Sequence, residues 1–192
     1  MQDLLIKADR GSNQGLQTGR VTKEEFFEAL DKVLPCKTKD RMEELQQALF
    51  FDCGGPVRKV NYIDVFQDDN EGNQGKFVEG LRDQYLDEAV EYAQELSDAL
   101  LDMAAHGGTA ARAGLNVNQM REAILTVDPQ KSLGEVDEYI ARAYGLAHAD
   151  EVEDLKDSFR VPVGALVRQL RSGLLKRTTP PGMMEEDGEE EA

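Results

Sequence analysis

Oxygen donors are the chemistry this sequence has most of. It carries 38 Asp and Glu against 22 Lys and Arg. One internal acidic segment is Asp68-Asp69-Asn70-Glu71-Gly72-Asn73-Gln74-Gly75, with Glu79 eleven residues beyond Asp68. Such a run offers hard ligands for a divalent cation. It also stands where a solvated linker would start a helix, its acids near the helix N-terminus where the dipole favours them. The other reactive types are sparse. His106 and His148 fall in loop or helix-end contexts with no Ser, Cys or carboxylate arranged around either. Cys36 and Cys53 lack Cys-x-x-Cys or Cys/His spacing, which argues against zinc and reads as two reduced structural thiols. Gly11, Gly15 and Gly19 recur every four residues, and Gly72-Asn-Gln-Gly75-Lys76 lacks a P-loop's gap and hydroxyl, so neither pattern cradles phosphate. No catalytic constellation is present, and no cofactor is expected.

The elements that must position these groups are helices nearly throughout. Apolar residues recur at steps of three or four in Leu4, Leu5 and Ala8, in Phe26, Leu30, Val33 and Leu34, in Met42, Leu45 and Leu49, and in Val136, Ile140 and Ala143. The longest pattern, Phe77 through Met103, predicts one helix from about Lys76 to Ala105, ~45 Å long, which links two lobes or projects one from the other. Turn residues interrupt at Leu34-Pro35, Gly54-Gly55-Pro56, Gly107-Gly108 and Asp128-Pro129. The fold class expected is all-α. Between helices a short phrase repeats: one aliphatic residue after a polar or Gly-containing loop, then an apolar residue five positions on. It occurs as Val21 then Phe26, Val60 then Val65, Leu115 then Met120, and Val161 then Leu166, with anchors 39, 55 and 46 residues apart. The spacings suggest a repeated helix-loop-helix unit with insertions; the alternative is that any chain of short helices shows aliphatic residues near loop ends.

The first of these units, and above all Gly19-Arg20-Val21-Thr22-Lys23-Glu24-Glu25-Phe26, resembles an EF-hand. The match is sharp over residues 1–34; the other units share only the aliphatic anchor and flanking helices. The resemblance implies paired helix-loop-helix units in two lobes joined by a long helix, with Val21 meeting Val60 and Leu115 meeting Val161 as loop-pairing anchors. The implied domains are 1–67 for an N-terminal lobe, 68–75 for an acidic linker, 76–178 for the long helix and C-terminal lobe, and 179–192 for a disordered acidic tail.

A calcium loop needs oxygens at positions 1, 3 and 5, a Gly at 6 and a bidentate carboxylate at 12. Counted from the anchors, positions 1, 3, 5 and 12 are Gln14, Leu16, Thr18 and Glu25 in the first loop, and Cys53, Gly55, Val57 and Asp64 in the second. They are Gly108, Ala110, Arg112 and Gln119 in the third, and Asp154, Lys156, Ser158 and Ala165 in the fourth. Asp9 can take position 1 only in a loop five residues longer than usual. None of the four keeps a coordination sphere, so no metal site is expected.

A formal charge of −16, about −10 without the six acids of Glu185 to Ala192, argues against nucleic-acid partners. Apolar runs of four or five residues are too short to span a bilayer, and the N-terminus lacks a secretory pattern, so cytosol is the expected compartment. Function then falls to surfaces that bind protein. Adjacent residues on a helix point about 100° apart, so one ring each of Phe26-Phe27 and Phe50-Phe51 is expected outside the core; division between the core and a lobe-lobe contact is the alternative. A helix over Val163 to Lys176 combines Leu166, Leu170 and Leu174 with Arg168 and Arg171 in the one basic patch of an acidic chain. Those cations either meet an acidic partner or complement the helix dipole. The resulting expectation is a calcium-independent adaptor for helical or coiled-coil segments of a multi-subunit assembly. Degenerate EF-hand proteins of cytoskeletal machines, especially ciliary and flagellar axonemes, are the ones it resembles. The alternative is a calcium sensor using Glu25 or the Asp68–Glu79 segment.

Overall fold

A computed structural model describes residues 1–106, 114–155, 158–173 and 175–180 of the chain. The described residues are mostly helical and fall into two compact units, Met1–Tyr85 and Leu86–Ala192.

The first unit contains helices α1 (Gln2–Ser12), α2 (Lys23–Val33), α3 (Lys39–Asp52) and the short α4 (Tyr62–Val65), with strands β1 (Arg20–Thr22) and β2 (Lys59–Asn61). The strands pair antiparallel with Val21 opposite Val60, and only this middle residue of each is buried. Two further bonds lengthen the ribbon, Tyr62 N–H to the Gly19 carbonyl at 3.0 Å and Lys23 N–H to the Arg58 carbonyl at 3.3 Å. Strand passes directly into helix because Thr22 is the N-cap of α2. Its hydroxyl accepts from Glu25 N–H, and the Glu25 carboxylate accepts from Thr22 N–H, a reciprocal capping box. Below the ribbon, Leu5, Phe26, Leu30, Leu45, Leu49 and Phe77 form the core. Phe26 meets Phe27 and Phe77 edge to face, with ring centroids 5.6 and 5.3 Å apart.

Helix α5 (Lys76–His106) is continuous over 31 residues, close to the span predicted from periodicity. Its start belongs to the first unit. Asp52, at the end of α3, caps it by accepting from the N–H groups of Lys76 and Phe77, each at 2.8 Å. Gly75 lies so close that a Cβ there would stand 2.7 Å from the Asp52 carboxylate. Phe77 is wholly buried, and Gln84 donates its side-chain amide to the Arg41 carbonyl at 3.1 Å. The first unit therefore reaches Tyr85, past the sequence boundary at 67. The acidic run does not cap the helix; a carboxylate from α3 does.

The second unit holds the rest of α5, then α6 (Val117–Val127), α7 (Leu133–Tyr144), a 3₁₀ turn (Ala149–Val152) and α8 (Val163–Arg171). Leu115 and Val161 form an isolated antiparallel bridge and exchange both backbone bonds, at 3.0 and 3.1 Å. Gly114, at φ +151°, permits this approach, since a Cβ there would lie 2.6 Å from the Val161 carbonyl oxygen. The Tyr144 hydroxyl donates to the Leu115 carbonyl at 2.8 Å, and burial pushes its pKa up to about 12. Capping boxes start α6 at Asn116 with Gln119 and α7 at Ser132 with Glu135. Tyr92, Leu96, Leu100, Met120, Ile124, Val136, Ile140, Leu166 and Leu170 make the core.

The last helix is shorter than the sequence pattern suggests, ending at Arg171. Gly173 lies against the Arg142 side chain, and Leu175 turns back into the core. Thr179, placed by the sequence reading in the tail, is buried; residues 181–192 lie outside the described ones. Among the described residues, no helix is long and apolar enough to cross a membrane.

The β1–β2 contact rests on two opposed valines. Val60→Asp is expected to cost the first unit about 3–5 kcal/mol, because the carboxylate gains no partner there. Thermal unfolding followed by circular dichroism checks this, and an unchanged transition would contradict the contribution assigned to the pair.

Candidate functional site

In the first unit, the side chain that organises the loop between α1 and β1 is Asp9, fully buried on the last turns of α1. One of its oxygens accepts from Thr18 N–H and Gly19 N–H, each at 2.8 Å, and from the Tyr62 hydroxyl at 3.1 Å. The other accepts from the Thr18 hydroxyl at 2.7 Å and the Asn13 amide at 2.8 Å. Burial alone pushes this carboxyl up; the bonds from Thr18, Gly19 and Tyr62 outweigh it and hold the group below its ordinary value of 3.8. The same carboxylate and burial push the Tyr62 phenol up. Gly19, at φ +76° with Ile63 packed 2.7 Å from where a Cβ would stand, is the residue the turn requires.

Glu25 is engaged in the same manner. It accepts from the Ser12 hydroxyl and from Thr22 N–H, and these bonds, the Ser12 bond foremost, hold its carboxyl below the usual range. Asp9 and Glu25 are thus both engaged by hydrogen-bond donors of the protein itself.

The remaining sequence candidates for cation ligation are spread out. Asp69 accepts from the N–H groups of Glu71 and Asn73 and from the Asn73 amide, which closes its loop and lowers its pKa. Glu79 pairs with Lys76 at 2.8 Å, and Asp64 accepts from the Asn61 amide. An open cleft of about 610 Å³ beside β2 is lined by Asp52, Asp64, Asp68 and Asp69 along with Arg20 and Lys59. Among the described residues, no group of three or more His, Cys, Asp or Glu is placed to hold a metal. Positions 108, 110, 112 and 156 of the later loops lie outside the described residues, and Gln119 is spent in the α6 cap. His106 contacts Asp102 one turn back, and Cys36 and Cys53 are half-buried.

The structure brings Val21 to Val60 and Leu115 to Val161. It separates the residues considered for partner binding. Phe26, Phe27, Leu166 and Leu170 are all core, because the helices close on them, so none offers a surface. Phe50 is half-buried with the Lys23 ammonium 4.5 Å from its ring centroid. Phe51 is 73% exposed, and Arg168 and Arg171 are exposed on α8, where Arg171 donates to Gln94. Leu174 lies outside the described residues.

Sequence reasoning missed the second buried acid, Asp128, which closes α6. It accepts from the Tyr92 hydroxyl at 3.0 Å, from Thr178 N–H and Thr179 N–H at 2.8 and 2.7 Å, and from the Thr179 hydroxyl at 2.6 Å. Lys131, also buried, pairs with it at 3.1 Å. Burial raises the Asp128 pKa, and the Thr179 and Thr178 bonds with Lys131 bring it below the usual range. The only signal in the sequence was Asp128-Pro129 after an amphipathic run, which reads as a turn.

Asp9→Asn is expected to lower the stability of the first unit by about 2–3 kcal/mol at neutral pH, since the bonds to Thr18 and Gly19 lose their charged acceptor. The folded pKa of Asp9 is depressed, so its contribution is full above the unfolded value of 3.8 and fades as pH falls through the folded one. Denaturant titrations across acid pH should therefore show the gap between wild type and variant closing below that value; a gap independent of pH would contradict the assignment.

No protein-family model matches the chain, and no solved structure does. It is similar to translin-associated factor X-interacting protein 1 of Homo sapiens, 28% identical over 137 residues that make up 71% of this chain and 20% of that protein. The Mus musculus protein of the same name is 26% identical over 170 residues, 84% of this chain and 23% of that protein. The chain spans about a fifth of the length of the curated relatives it matches.

Proposed function

We propose that this chain is a non-enzymatic protein-binding module, a degenerate EF-hand-like adaptor whose two helical units hold their shape without calcium. The observation that carries the reading is Asp9, the carboxylate best placed to serve as a first ligand, saturated by five protein donors and facing Gly19. A cation entering this loop would have to break those bonds, and Glu25 would have to leave Ser12 and its helix cap. Without a switch, such a unit offers its partner one fixed surface.

Protein binding is supported by the relatives, which are named for interaction with another protein, translin-associated factor X. We extend that class of partner to this chain. Phe51 is a large exposed ring at the end of α3, and Arg168 and Arg171 present positive charge on α8. On the first unit Phe51 serves as an aromatic anchor for a helical segment, and on the second, taken by itself, the arginines serve as charge complements. A place in a cytoskeletal assembly, axonemal or otherwise, rests on the family resemblance alone.

The test has two parts. Calorimetric titration of the full chain with calcium, with magnesium as control, is expected to give no binding heat, and the circular dichroism spectrum is expected to stay unchanged. Purified translin-associated factor X should bind the chain equally in chelator and in calcium, and Phe51→Ser should weaken the complex about tenfold with unchanged melting. Micromolar calcium binding accompanied by a gain in helicity would contradict the adaptor and favour a sensor.

A further inference from the structure

The end of the second unit is held by a set of contacts that has the form of ligand recognition. After α8 the segment Leu175–Pro180 runs back over α6 and α7 and is gripped mainly through its backbone. The Lys131 ammonium donates to the Lys176 carbonyl at 2.8 Å and to the Thr178 hydroxyl at 3.1 Å. The Tyr139 hydroxyl donates to the same carbonyl and accepts from Lys176 N–H, both at 2.8 Å. Asp128 accepts from the backbone amides of Thr178 and Thr179.

Three side chains of the segment add selectivity. Leu175 is buried in the core. Arg177 lies over the Tyr92 ring, 5.2 Å from its centroid, and pairs with Glu95. The Thr179 hydroxyl both donates to Asp128 and accepts from Gln130 N–H at 3.1 Å, so the position needs a group that does both.

The site requires an occupant. Asp128 and Lys131 are a buried ion pair, and the segment supplies three of the hydrogen bonds that satisfy the carboxylate and two of those that satisfy the ammonium. Without them a desolvated charge would be left short of donors, which is costly. Because most of the grip is on backbone groups, any extended chain with the same few side chains can supply them.

We propose that the cleft floored by Tyr92, Asp128, Lys131 and Tyr139 is a peptide-recognition site, occupied in this structure by the chain's own residues 175–180 as an internal ligand. Its partner is an extended protein segment of the form Leu-x-Arg-Thr-Thr, with Ser accepted at the last position. A carboxylate at that position is refused by Asp128. The tether gives the internal segment a high effective concentration, on the order of millimolar, so an external segment binds weakly until the internal one is released. The proposal does not rest on the surfaces assigned above to helical segments, and a failed complex with translin-associated factor X would leave it standing.

The probe is a labelled synthetic peptide with the sequence of residues 173–180, titrated into the full chain and into full-length Leu175→Ser/Thr179→Val, in which the internal ligand is weakened and the floor residues are intact. Binding to the variant at least tenfold tighter than to wild type is expected, with loss of binding when the peptide carries Thr179→Glu or the protein also carries Asp128→Asn. Equal affinity for both proteins, or no binding to a variant with wild-type helicity, would overturn the proposal. For the case in which the variant does not fold, unlabelled peptide is added in excess to isotope-labelled wild-type chain. The Thr178 and Thr179 amides should then exchange with solvent faster while those of α6 do not, and unchanged exchange would overturn it. Concentration-dependent dimerisation with the same amide changes in the absence of peptide would replace the external segment with a second copy of the chain.

Discussion

A carboxylate removed from water must be met by donors, and each of these two units is organised around one that is. Asp9 and Asp128 are fully buried, and each reaches at least one segment distant in sequence. Asp9 ties the end of α1 to the turn before β1 and to Tyr62 beyond β2, so helix, loop and both strands are fixed by one group. Asp128 ties the end of α6 to Tyr92 on α5 and to the segment after α8. Both acids have their pKa values held down against the effect of burial, which is the electrostatic sign that the donors outweigh the desolvation.

These polar centres act together with the two bridges. Val21 against Val60, and Leu115 against Val161, set two loops of each unit back to back, so the flanking helices converge on a shared core. Ser12 bonds Glu25, and Thr18 and Gly19 bond Asp9, so the first loop is closed by donors of the chain itself. The proposed adaptor reading is built on that closure.

Much of the architecture was legible because periodicity and turn chemistry are local. The 31-residue helix declared itself by apolar steps from Phe77 to Met103; the capping boxes at Thr22-x-x-Glu25 and Ser132-x-x-Glu135 were first seen in the structure. The four aliphatic anchors stood out by their recurring offset. What was not legible depended on contacts far apart in the chain. Nothing near Asp52 indicates that it caps a helix 24 residues later, and nothing near Asp128 points to Thr179. The adjacent rings of Phe26 and Phe27 are both buried because α2 packs between the ribbon and α5, a circumstance that a single helix cannot disclose. The last helix ends at Arg171, and Leu175 beyond it is buried in the core, a long-range contact of the same kind.

The central claim is that the first loop is closed by its own hydrogen bonds. Amide hydrogen exchange at Thr18 and Gly19, measured in the full chain in chelator and again with calcium, tests it most directly. Slow exchange in chelator, unaltered by calcium, is the result this account predicts. Fast exchange in chelator that slows when calcium is added would mean that a cation completes the loop, and would contradict it.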